Sequence, residues 1–196
     1  LKDPSTASTF QVRKTAPDVI LVGNLGINQV RDLGASRAVE IFESVEADYL
    51  AVHLNPAMEL VQPGNEADSD FRSGYETVAR LVDALNGRVI VKECGCGLSP
   101  SVIRRLKGVG VRAVDVSGVG GTSWVRVEAL RQSEQQASTA FDFDDWGIPT
   151  AAATLGAATI DGLHIVASGG IDNGRKAGHA LACLLYTSPS PRDSCA

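Results

Sequence analysis

Five short apolar runs, each ending in glycine or a polar side chain and most followed by a helical pattern, limit the possible folds more than any other feature. Asp18–Gly26, Tyr49–Asn55, Arg88–Glu93, Ala113–Ser117 and Leu163–Ser168 read as strands. Between them, Ala38, Ile41, Phe42 and Val45, then Val78, Leu81, Val82 and Leu85, then Val102, Ile103 and Leu106, recur with helical spacing. Ser99 and Pro100 open the third of these helices, Pro149 opens an Ala-rich one, and Asn173 caps the last. Asp3 and Pro4 also form a cap-and-start pair, predicting a helix from Pro4 to about Lys14. Strands that alternate with helices pair in parallel through right-handed crossovers.

An open doubly wound sheet gathers its ligand site at one switch point, whereas a barrel draws on most of its strand ends. Here Asn24, His53, Asn55, Lys92, Glu93, Ser117 and Ser168 spread polar groups over all five ends, which favours the barrel. Five strands cannot close an eight-stranded barrel, so the expected fold is a partial TIM (β/α)8 barrel with about five of eight βα units. The barrel domain is expected to occupy residues 1–182. Cys183–Asp193 resembles the read-through translation of a sequencing adaptor, and 183–196 is therefore expected to be a non-native tail.

The strand ends are also rich in glycine. Ser117-Gly118-Val119-Gly120-Gly121-Thr122 leaves bare amides between two hydroxyls, and Ala167-Ser168-Gly169-Gly170 repeats the design; Gly23–Gly26 and Gly95–Gly97 do so more loosely. Such loops approach a ligand closely and turn N–H groups onto an anion. Charge excludes other partners. Without the tail, 17 basic residues face 22 acidic ones, and the chain carries −5 with no basic run. That argues against nucleic acid or an anionic membrane surface. Cys94 and Cys96 are too close for an easy disulfide and too few for zinc, so a reducing, cytoplasmic setting is expected.

Several side chains have two readings. Lys92 ends an apolar strand, where it would hold an anion or an electron-rich ring, form a Schiff base, or snorkel to water. Glu59 follows a strand end and suits magnesium shared with a phosphate, or simple exposure. His53 suits a satisfied core position better than an acid–base role. Trp124 and Glu128 lie four apart, on one face if the chain turns helical after Thr122, and would suit a carbocation-like or alkene ligand. Packing on the rim is the alternative for Trp124. Met58 reads as a core filler. Glu66, Asp68 and Asp70 read as a solvated acidic turn rather than a metal site.

Taken together, Val52–Glu59 (Val-His-Leu-Asn-Pro-Ala-Met-Glu), Asp70-Phe71-Arg72, Val89–Gly97 (Val-Ile-Val-Lys-Glu-Cys-Gly-Cys-Gly), Val114–Trp124 and Ala167–Gly170 resemble the type 2 isopentenyl-diphosphate isomerases in content, order and spacing. The resemblance covers Leu1 to about Ala182. It implies an FMN-dependent barrel that interconverts isopentenyl and dimethylallyl diphosphate with magnesium and with NAD(P)H as reductant, as a tetramer or octamer. By matching position, Asn24, Lys92, Ser117 and Thr122 would contact FMN, and Gly169 and Gly170 its phosphate. Glu59 would hold magnesium, and His53, Asn55, Trp124 and Glu128 would line the substrate pocket.

At one position the chain departs from that pattern. Met58 stands where the family commonly has Gln, and a thioether cannot relay a proton. Either the flavin serves both proton steps, or Glu128 takes the role, or the activity differs. The resemblance also implies that an N-terminal Arg-Lys pair, a Gly-Ser-Gln-Arg segment and a final phosphate-binding strand are missing, so the 196-residue chain is expected to be insoluble or molten, and inactive. Rival classes are a 2-hydroxy acid oxidase or IMP dehydrogenase relative, a Schiff-base aldolase using Lys92, and a non-catalytic flavin-binding remnant. The first needs a histidine by the flavin, but His164 begins its strand; the second needs a cysteine in Ser117–Ser123, which has none.

Overall fold

Short Val- and Ile-rich runs joined by long, helix-bearing connections favour parallel pairing, since a crossover helix returns the chain to the same edge before each new strand. In the computed structural model, which describes residues 8–62, 68–132, 140–143 and 145–185, they form one five-stranded sheet. The strands are β1 (Val22–Gly26), β2 (Tyr49–His53), β3 (Val89–Lys92), β4 (Ala113–Asp115) and β5 (His164–Val166). Helices α1 (Ile27–Leu33), α2 (Ala35–Ser44), α3 (Pro56–Val61), α4 (Gly74–Ala84), α5 (Pro100–Gly108), α6 (Trp124–Leu130), α7 (Thr150–Ala158) and α8 (Gly174–Leu185) connect or follow them.

The strand order is β1-β2-β3-β4-β5 and every neighbouring pair is parallel. A doubly wound sheet reverses its order where the chain crosses to the other face. No reversal occurs among these strands, so right-handed crossovers put the helices on one face. Burial agrees. Leu50, Val52, Val89, Val91 and Val114 pack with Ala38, Phe42, Val78, Leu81, Ile103, Leu106 and Ala157 in one core. On the other face Val22, Tyr49 and Val166 stay 40–47% exposed. This singly wound arrangement is consistent with an arc of an α/β barrel.

Local chemistry sets the helix ends. The Ser99 hydroxyl accepts from the Val102 N–H at 3.3 Å with Pro100 in the first turn, and Asn173 Oδ1 accepts from the Lys176 N–H at 3.0 Å. The predicted N-terminal helix does not extend through its described part: Ser8–Phe10 form one 3-10 turn and the chain turns again at 13–15, while 4–7 lie outside the described residues. Pro17 disfavours helix at the residue before it. The Arg13 side chain instead ties this segment down, donating to the carbonyls of Pro17, Val19 and Glu46 and pairing with Asp48 at 2.6 Å. Two short helices, α1 and α3, follow β1 and β2 directly, where the sequence pattern gives only strand ends. No helix among the described residues is long and apolar enough to cross a membrane.

The uncovered sheet face makes a prediction. The 196-residue chain alone should self-associate through Val22, Tyr49 and Val166, and Val22→Lys with Val166→Lys should lower its mass in sedimentation velocity; a monodisperse monomer for the unsubstituted chain would contradict this.

Candidate functional site

Register brings the polar strand ends into one row. Gly26, His53, Lys92, Asp115 and Val166 are successive partners across the sheet, so their side-chain positions share the face the helices leave open. Asn24 is two residues before Gly26 on that face, and its Oδ1 lies 3.3 Å from His53 Nδ1. A Cβ on Gly26 would sit 3.0 Å from His53 Nε2, so glycine there makes room for the imidazole. Burial, and then the Lys92 charge, lowers the His53 pKa below 6.5, which keeps the ring neutral at pH 7. Lys92 Nζ donates to the Glu93 carbonyl at 2.7 Å and lies 3.4 Å from Cys94 Sγ.

Beyond the row, the loops hydrogen-bond to one another as if the sheet continued. The Ser117 carbonyl accepts from Gly95 and Gly97, the Gly118 N–H donates to Ser168, and residues 148–150 join through Cys96 and Val119. Gly169 and Gly170 press against the other glycine loop: a Cβ on Gly169 would lie 2.2 Å from the Gly118 carbonyl oxygen, and one on Gly170 2.0 Å from that of Gly120. The first need for glycine here is therefore contact between two backbones. The N–H groups of Gly169 and Gly170 donate to nothing among the described residues. They suit an anion such as a phosphate. The Thr150 hydroxyl, at the start of α7, donates to the Gly169 carbonyl at 2.7 Å.

The exit of β2 has its own constraint. Asn55 is buried and left-handed, at φ 50° and ψ 41°, and its Nδ2 donates to Met58 Sδ at 2.8 Å. The thioether is thus a hydrogen-bond acceptor here as well as a packing group. Glu59 Oε2 accepts from the Asp68 N–H at 3.1 Å. Asp68 pairs with Arg31 at 2.6 Å and Asp70 with Arg72 at 2.7 Å, which fits an acidic turn better than a metal site; Glu66 lies outside the described residues. No three His, Cys, Asp or Glu side chains among the described residues converge on a possible ion.

A pocket opens between the 94–96 loop, residues 119–125 and Trp146, and it brings together Asn55, Thr122 and Trp124. Trp124 is 47% exposed at the start of α6. Glu128, one turn on, is buried, with both carboxylate oxygens 2.8 Å from Arg131 Nη1.

Two residues with structural roles at this site, Asp115 and Thr150, are not singled out by the sequence, and Glu93 is marked there only as a polar strand end. Glu93 is 3% exposed; its Oε2 accepts from the N–H groups of Cys94 and Cys96 at 2.7 and 2.8 Å, while Oε1 is buried without a partner. Burial raises its pKa above 4.5 against the pull of those amides. A charged residue directly after Lys92 in an apolar strand was the available signal. Burial also raises Cys94, and Cys96 to about 11, so neither thiol is poised as a thiolate.

Comparison with known proteins supplies the context for this geometry. No family profile matches the chain. It is 42% identical over 196 residues to a protein of Synechocystis sp., covering 97% of this chain and 56% of that protein. A Stutzerimonas stutzeri protein is 44% identical over 179 residues, with 90% and 51% covered, and an Aeropyrum pernix protein 43% identical over 190, with 93% and 49% covered. All three are named isopentenyl-diphosphate delta-isomerase. The chain is thus homologous to isopentenyl-diphosphate delta-isomerases and spans about half the length of the relatives it matches.

Two predictions test the loops. Glu93→Gln keeps an acceptor for the two amides but cannot ionise. Because the folded Glu93 pKa is raised, its stability contribution is present below pH 4.5 and is lost as pH rises through the raised value. The variant should therefore withstand more urea than wild type at neutral pH, with the gap closing toward pH 4.5; a gap independent of pH would contradict this. Gly170→Ala should cost roughly 2 kcal/mol or more, since its methyl has no room and the backbone is left-handed; urea unfolding reads this directly.

Proposed function

We propose that this chain is part of a type 2, FMN-dependent isopentenyl-diphosphate isomerase, which interconverts isopentenyl and dimethylallyl diphosphate. The observation that carries the reading is a pair of interlocked glycine loops whose Gly169 and Gly170 amides donate to nothing among the described residues, beside the Asn24, His53 and Lys92 row, in a chain homologous to proteins named isopentenyl-diphosphate delta-isomerase. In this reading the two amides bind the FMN phosphate, as phosphate sites at the last strands of barrels do. Asn24, Lys92, Ser117 and Thr122 face the ring system. Glu59, aided by the 68–70 turn that fixes its carboxylate, holds Mg2+ against the substrate diphosphate.

When bound and reduced, with NAD(P)H as the reductant, the flavin supplies acid–base chemistry for moving the double bond. The chain's own residues bind, orient and exclude. The amide of Asn55 and the face of Trp124 line one pocket, where the ring would suit the positive charge that develops on the five-carbon chain, and the neutral imidazole of His53 would meet the substrate from the strand row. Neither Met58 nor Glu128 serves as the proton carrier in this reading. The Met58 sulfur has no proton to give and accepts from Asn55, and Glu128 is buried against Arg131.

The test uses a chain completed to the length of its relatives. It should purify with a flavin spectrum and isomerise substrate only with FMN, Mg2+ and a reductant, and Lys92→Ala should lower turnover by about a hundredfold or more. Met58→Gln should change turnover less than about tenfold; a rise of roughly a thousandfold, within reach of one acid–base group, would refute the assignment of Met58. A colourless protein that borohydride and a carbonyl substrate trap at Lys92 would refute the reading itself.

A further inference from the structure

Asp115 is the last residue of β4, next to Lys92 in the row across the sheet. It is not the partner of Lys92, whose ammonium donates to the Glu93 carbonyl and lies against Cys94. Its Oδ1 instead accepts twice: from the Ser117 N–H at 3.1 Å and from the Ser168 hydroxyl at 2.6 Å. The first bond is an Asx turn, which steadies the backbone two residues on.

Ser117 needs that support. It is a non-glycine residue at φ 38°, a conformation that the surroundings must hold in place. In that conformation its carbonyl accepts from Gly95 and Gly97 at 2.9 and 3.0 Å, so the setting of Asp115 is passed on to the β3 loop. The second bond reaches the β5 loop directly, one residue before Gly169. One carboxylate oxygen thus stands where the loops after β3, β4 and β5 meet.

We propose that Asp115 is a positioning residue of the cofactor site, fixing the loop of Ser117 and Thr122 against the loop of Gly169 and Gly170 so that one ligand can span both. The inference rests on the FMN reading above, in which the first loop meets the ring and the second the phosphate. Asp115 itself contacts neither. Its contribution is to remove freedom from the site before the ligand arrives, and this is gained as affinity.

The test is FMN binding to the apo form of the chain completed to the length of its relatives, read by quenching of flavin fluorescence, with melting curves beside it. Asp115→Ala removes both bonds and should weaken FMN binding by about tenfold or more. Asp115→Asn keeps the accepting oxygen and should bind within about threefold of wild type. Ser168→Ala removes only the link between loops and should fall between them, with its melting temperature little changed. FMN affinity unchanged in Ser168→Ala, or in a folded Asp115→Ala, would overturn the proposal and leave the FMN reading standing. Asparagine as damaging as alanine would also overturn it, because the charge rather than the placement would then matter. Wild-type protein that binds no FMN would overturn the FMN reading and this inference with it.

Discussion

Contact between two backbones, with no side chain between them, is the constraint on which the candidate site depends. Gly169 and Gly170 lie against Gly118 and Gly120 where a Cβ on either would come within 2.2 Å of a carbonyl oxygen. That closeness lets the loops beyond β4 and β5 extend the hydrogen-bonding of the sheet, from Gly118 to Ser168 and from Val119 to Ile148. It also brings the Thr150 hydroxyl onto the Gly169 carbonyl and the Ser168 hydroxyl onto Asp115. The site is therefore built on backbone continued past the strand ends rather than on free loops.

A sequential parallel sheet explains why polar residues at separate strand ends share one face. Each crossover returns the chain in the same direction, so the C-terminal end of every strand lies on the same edge. In-phase register then puts His53, Lys92 and Asp115 side by side, although 39 and 23 residues separate them in sequence. The same winding leaves the open face with apolar residues exposed at Val22, Tyr49 and Val166.

The strands were legible because Val and Ile runs of that length between glycine-rich ends have few alternatives. The caps at Ser99 and Asn173 were legible because short polar side chains before a helical pattern have one common use. Helices α1 and α3 were not, since each starts within a residue or two of a strand end and is too short to show a period. The helix expected from Asp3-Pro4 does not continue through residues 8–14, because a helical pattern without a packed apolar face competes poorly with the Arg13 contacts that hold this segment just before β1 and β2. At the site, glycine content pointed to loops whose bare backbones meet each other, which is a need for glycine that no ligand imposes. Asp115 went unmarked, and Glu93 was marked only as a polar strand end, because a carboxylate that accepts from backbone looks, in sequence, like one that faces water.

Whether the double bond moves without net oxidation separates the isomerase reading from every oxidoreductase on a similar barrel. The direct measurement is anaerobic incubation of the completed chain with reduced FMN, Mg2+ and isopentenyl diphosphate, following the product and the flavin absorbance together. Dimethylallyl diphosphate formed over many turnovers, with the absorbance returning to that of reduced flavin, is the expected result. Flavin oxidised in proportion to substrate consumed, or no isomer while FMN is bound, would contradict it.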